Sequence, residues 1–136
     1  MLRGMATVSL FADDLPAATD WYTTLLGIEP YFVRLVDGPP AYVEFRVGDY
    51  QHELGIIDRR WAPHQDTEPG GAVLFWHVDD IEAALTRLRE LGATEHDAVT
   101  PRESGFVTAS VVDPFGNILG VMQNPHYLSV RDGYLT

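Results

Sequence analysis

Apolar and polar residues change their period several times along the chain, and each change marks an element. Residues 6–11, Ala-Thr-Val-Ser-Leu-Phe, alternate small or polar with apolar, the pattern of a half-buried strand. Asp13 and Asp14 then offer an N-cap, and Pro16 suits a first helical turn, where its missing N–H costs little. Leu15, Ala18, Tyr22 and Leu25 follow at helical spacing, and Gly27 stops the helix. Three strands are predicted at 30–36, 41–47 and 50–58, with Gly38-Pro39-Pro40 and Gly48-Asp49 as turns. The same order then returns. A strand over 72–78 leads to an Asp80 cap, a helix with Ile81, Ala84, Leu85, Leu88 and Leu91 on one face, and a stop at Gly92. Strands near 94–100, 106–112 and 117–122 complete it.

The repetition extends to residue identity. Leu10-Phe11-Ala12-Asp13-Asp14-Leu15 is echoed by Trp76-His77-Val78-Asp79-Asp80-Ile81 at an offset of 66. Glu53-Leu54-Gly55-Ile56-Ile57 is echoed by Ile118-Leu119-Gly120-Val121-Met122 at an offset of 65. Two copies of one unit are too few for a solenoid. The expected fold class is α+β: two β-α-β-β-β modules forming a curved eight-stranded mixed sheet around a cup, helices on the outside. The expected organisation is one domain over 1–136, with module one at about 6–58, a linker at 59–71, module two at about 72–122 and a tail at 123–136. Such a cup suits a small molecule.

Composition narrows the chemistry. The 136 residues carry no cysteine, which removes disulfides, thiolate zinc sites, iron–sulfur clusters and cysteine nucleophiles. The formal charge of −11 repels phosphate backbones and anionic lipid, so neither nucleic acid nor a membrane is an expected partner. No apolar run approaches the ~20 residues of a membrane span, and the first residues lack an apolar signal core; a cytoplasmic protein is expected.

The paired units, the Asp-Asp-Leu and Asp-Asp-Ile helix starts, and the run Val112-Asp113-Pro114-Phe115-Gly116-Asn117-Ile118-Leu119-Gly120 resemble the vicinal oxygen chelate superfamily. That superfamily includes glyoxalase I, bleomycin-resistance proteins and extradiol dioxygenases. The resemblance covers about residues 6–124 and implies ligand positions on the first and last strand of each module. Carried over, these fall on Thr7, Gly55, Val73 and Gly120, a set that cannot hold a divalent metal. Glu53, two residues before Gly55, and His77 are the remaining weak metal candidates.

Alternation assigns the cup wall. Val8 and Leu10 go under the first helix, leaving Thr7, Ser9 and Phe11 inward. Val43, Phe45 and Val47 form an apolar face, leaving Tyr42, Glu44 and Arg46 inward, with Arg46 the one inward cation. Leu54 and Ile56 leave Glu53, Gly55 and Ile57; module two contributes Val73, Phe75 and His77, then Ile118, Gly120 and Met122. The ligand set is therefore Thr7, Ser9, Phe11, Tyr42, Glu44, Arg46, Glu53, Phe75, His77 and Met122. Against it stand plainer readings, with Glu44 and Arg46 on a solvated strand face and His77 a hydrogen-bonded residue before a helix cap.

His52, His64 and His126 fall where exposure is the default, and no serine sits in a nucleophile elbow, so no catalytic residue is assigned. Trp61 needs a cover, either its own chain or a second subunit, and Pro125-His126-Tyr127-Leu128 is placed at the same contact. The expected function is metal-independent small-molecule binding of the sequestration or resistance type, without a cofactor, in a homodimer. The alternative is a metal-dependent lyase, isomerase or dioxygenase with a non-standard metal site.

Overall fold

The computed structural model describes residues 1–64 and 68–133. Its elements run β1 (Thr7–Ala12), α1 (Leu15–Leu26), β2 (Phe32–Leu35), β3 (Pro40–Val47), β4 (His52–Asp58), β5 (Leu74–His77), α2 (Ile81–Glu90), β6 (Thr94–Pro101), β7 (Val107–Val112), β8 (Ile118–Gln123) and α3 (Pro125–Arg131). The chain divides into two compact units, Met1–Thr67 and Glu68–Thr136. Each is one β-α-β-β-β copy, so the fold is α+β as expected. Hydrogen bonding gathers the eight strands into two four-stranded mixed sheets, ordered β1-β4-β3-β2 and β5-β8-β7-β6, rather than one continuous ladder. Among the described residues no helix is long and apolar enough to cross a membrane.

In the first unit β1 runs parallel to β4, and β3 lies antiparallel to both β4 and β2. The Asp14 side chain accepts from the Ala17 N–H at 3.0 Å to start α1, and Gly27 ends it in the left-handed conformation, φ 70°. α1 buries Leu15, Ala18 and Tyr22 against Val43, Phe45, Leu54 and Ile56 of β3 and β4, the residues that alternation sends under the helix. That apolar set is the core of the unit. The opposite sheet face carries no helix of this unit.

The second unit repeats the plan. Asp80 caps α2 by accepting from the Ala83 N–H, and the Gln123 side-chain carbonyl accepts from the Ile81 N–H, tying β8 to the helix start. Ile81, Leu85 and Leu88 pack over Ala109, Val111, Leu119 and Val121. The Asp113 carboxylate, buried, accepts from the Phe115 and Asn117 N–H groups at 2.9 and 2.8 Å and from Asn117 Nδ2 at 3.0 Å. This is why Asp-Pro-Phe-Gly-Asn makes the β7–β8 turn: one carboxylate satisfies three donors that the reversal would otherwise strand.

Two expectations need correction, and the tail holds an element that periodicity does not predict. β5 begins at Leu74, because its ladder with β8 opens at Leu119, so Val73 precedes the strand instead of lining it. β2 spans only four residues, all exposed, since it is an outer edge with β3 as its sole neighbour. The tail contains α3, whose start is capped by Asn124 accepting from the Tyr127 N–H at 2.9 Å.

Candidate functional site

Paired residues in neighbouring strands share a face, so the ladders fix which side chains meet. On the helix-free face of the first sheet stand Thr7, Ser9 and Phe11 of β1, Glu53, Gly55 and Ile57 of β4, and Tyr42, Glu44 and Arg46 of β3. The register adds Phe32 and Arg34 of β2, opposite Glu44 and Tyr42. Alternation within one strand finds the first nine; the last two require the β2–β3 register. Arg46 is therefore not the only cation on this face.

Glu44 sits at the centre. It is 7% exposed, so the solvated-face reading fails for it. The Tyr42 hydroxyl donates a hydrogen bond to its carboxylate, and Tyr31 donates from the chain before β2. Burial pushes the Glu44 carboxyl up, but the hydrogen bonds from Tyr42 and Tyr31, with the nearby Arg46 charge, outweigh it and hold the group below its ordinary range. Burial and the Glu44 carboxylate push the Tyr42 phenol far above its own range, so it stays a donor. Arg46 stacks over the Tyr31 ring, 3.9 Å from its centroid, and Arg34 lies 5.9 Å from that of Phe32. Phe32 and Tyr42 are ring neighbours at 6.4 Å. Glu53 takes a 3.3 Å hydrogen bond from Thr7.

A group whose folded pKa is depressed stabilises above its unfolded value, about 4.3 for glutamate, and loses that contribution as pH falls through the folded value. Glu44→Gln is accordingly expected to lower the melting temperature at pH 7 and to flatten its fall as the pH drops below the ordinary glutamate range. Thermal melts of both proteins across that range check this; parallel acid limbs would contradict it.

Phe11 meets His64 edge-on at 5.1 Å, Ser9 is exposed, and Trp61 is 54% exposed at the end of a 3-10 turn.

In the second unit Phe75 and His77 of β5 share a face with Gly120 and Met122 of β8. His77 is fully engaged: its Nδ1 accepts from the Asn124 N–H at 3.2 Å, its Nε2 meets Asp79 at 3.1 Å, and its ring stacks on Tyr127 at 4.7 Å. A backbone N–H only donates, which fixes the Nε2-protonated tautomer and leaves no nitrogen lone pair for a metal. His77 anchors α3. Met122 receives Asn124 Nδ2 on its sulfur at 3.6 Å. His96 and buried Ser110 are joined at 2.9 Å across β6 and β7, a pairing that alternation within one strand does not reveal. An open depression of about 710 Å³ at the β6–β7 turn is lined by Pro101, Arg102, Glu103, Ser104 and Phe106, none of them an expected ligand residue.

The four metal positions carried over by resemblance do not fit a metal. A Cβ on Gly55 would stand 2.5 Å from the Tyr42 ring, and one on Gly120 would stand 2.6 Å from the Phe75 ring. Both units thus lay an aromatic ring where a ligand side chain would project. Among the described residues no three of His, Asp and Glu gather closely enough to hold an ion.

No curated protein matches the chain. Among solved structures, a superfamily member from Sphaerobacter thermophilus DSM 20745 is 20% identical with a TM-score of 0.72, covering 90% of this chain and 98% of its own. Lactoylglutathione lyase from Agrobacterium tumefaciens is 22% identical with a TM-score of 0.67, covering 93% and 98%. TnmS3, an antibiotic binding protein from Streptomyces sp. CB03234, is 22% identical with a TM-score of 0.68, covering 90% and 96%. Likeness at these identities carries the fold alone. The sequence model of the Glyoxalase/Bleomycin resistance protein/Dioxygenase superfamily matches residues 4–121, and the chain belongs to that superfamily.

Proposed function

We propose that this chain is a single-domain, cytoplasmic, homodimeric protein that binds a small molecule without a metal, in sequestration or resistance rather than turnover. The ligand wall on the first sheet is Thr7, Ser9, Phe11, Tyr42, Glu44, Arg46 and Glu53; on the second it is Phe75 and Met122, with His77 holding α3 beside them. One observation carries the reading: Tyr42 over Gly55 and Phe75 over Gly120 fill the space into which side chains at the metal positions implied by the resemblance would project. Glu44 is matched by tyrosine donors of its own chain, whereas Glu53, half-buried, accepts a 3.3 Å hydrogen bond from Thr7. A planar amine suits that face, donating to Glu53 and stacking on exposed aromatic surface, at roughly 0.5–2 kcal/mol per desolvated ring.

Differential scanning fluorimetry with Zn²⁺, Ni²⁺, Mn²⁺ or Fe²⁺, and with planar amines against matched carboxylates, tests this. The amines are expected to raise the melting temperature and the metals are not, and Glu53→Gln is expected to erase the preference for amines. Protein holding about one transition metal per chain, with stability lost on chelation, would overturn the metal-independent reading.

A further inference from the structure

The outer edges of the two sheets are built from opposite materials. In the second unit the edge strand β6 begins Thr94-Glu95-His96-Asp97, with charges that discourage pairing with another chain. In the first unit the corresponding edge β2 reads Phe-Val-Arg-Leu. Around it Ile28, Tyr31, Phe32, Val33 and Leu35 are all exposed, Leu35 at 61%. The repeat supplies its own comparison: the same position in the same fold is guarded once and left open once.

We infer that β2 pairs antiparallel with β2 of a second copy about a two-fold axis at Val33. Charge favours a copy as the occupant. The chain carries a net −11, so two copies repel over most of their surface, yet residues 28–36 hold one glutamate and one arginine and are neutral. The segment also complements itself. With Val33 opposite its counterpart, Phe32 of each copy faces Arg34 of the other, and Val33 meets Val33 on the helix side of the sheet. Phe32 and Arg34 lie on the face that carries Glu44 and Tyr42. The second copy's Arg34 therefore reaches the ring of Phe32, giving each proposed ligand face a cation from its neighbour. An isologous contact of this kind closes at two and does not propagate.

The area sets the strength. Five half-exposed large side chains per copy represent roughly 400 Å² each side, below the ~1,200 Å² total of a standard stable interface. The dimer is therefore weak and depends on concentration. This inference names the interface for the homodimer proposed above, and it stands apart from ligand binding: a chain that binds its ligand but stays monomeric overturns only the interface.

Because the chain has no cysteine, a single introduced thiol reports the register. Residues facing each other in an antiparallel pair stand about 4.5–5.5 Å apart at Cα, within disulfide range. Val33→Cys is expected to oxidise to a covalent dimer at least tenfold faster than Leu35→Cys, whose position faces Tyr31 of the other copy, and than Thr94→Cys on β6. Sedimentation velocity of the unmodified protein from 5 µM to 1 mM is expected to move from 15.2 kDa toward twice that mass, and Val33→Lys to hold it at monomer. Equal cross-linking rates at the three positions, a monomer throughout the range, or a Val33→Lys protein that still dimerises would each overturn the pairing. Circular dichroism confirms that Val33→Lys is folded, which its exposed position permits.

Discussion

Asp113→Ala is expected to cost about 3 kcal/mol and to lower the melting temperature by roughly 10 °C. The buried carboxylate accepts from two backbone N–H groups and from the Asn117 amide, and alanine leaves all three donors in a turn that excludes water. The turn sets the β7–β8 register, which places Gly120 opposite Ser110 and beside Phe75, so the loss reaches the second sheet's open face. Asp113→Asn is expected to cost less. Its carbonyl oxygen retains the two backbone bonds, and only the Asn117 amide loses its acceptor. Urea denaturation of the three proteins checks the order; an alanine variant within about 0.5 kcal/mol of the parent would show that water or a rearranged turn replaces the carboxylate.

Gly55→Ala is expected to be the most damaging one-carbon change on the first sheet. The added methyl would sit 2.5 Å from the Tyr42 ring, a distance that real Cβ contacts do not adopt, so the ring must leave. Its departure takes the hydroxyl from Glu44 and strips a buried carboxylate of a donor. Overpacking alone costs about 1–3 kcal/mol, and the weakened carboxylate adds to it. The coupling is the sharper test. In the pair Gly55→Ala with Tyr42→Ala the clash is absent, so the double variant is expected to be less destabilised than the sum of the single ones by at least about 1 kcal/mol. Additive costs would mean that Tyr42 moves aside freely and that the glycine is not there to seat it.

The helix starts at Asp14 and Asp80 and the stop at Gly27 were legible because capping and left-handed glycine are local properties of a few consecutive residues. The helix-side faces were legible too: Val43, Phe45, Leu54 and Ile56 alternate strictly, and a two-residue period leaves one face for an apolar core. The weak element was β2, where propensity suggested seven residues and pairing to a single neighbour supports four. α3 escaped notice because seven residues with one Pro and one His carry little periodic signal, and its anchor, His77, lies 47 residues away from Asn124 in sequence.

The candidate site divides along the same line. By itself the sequence determined the two-fold repeat, the α+β class and the absence of donor side chains at Gly55, Val73 and Gly120, since these follow from residue identity and order. Only the tertiary structure decided that the Tyr42 and Phe75 rings occupy those glycines, that Glu44 is buried among tyrosines, and that Arg34 shares its face. It also decided that both His77 nitrogens are spent on Asn124 and Asp79. The physical reason is register. Period and capping report which side of its own strand a residue takes, whereas the neighbour it meets there depends on how the strands slide against one another, which hydrogen bonds between distant segments fix.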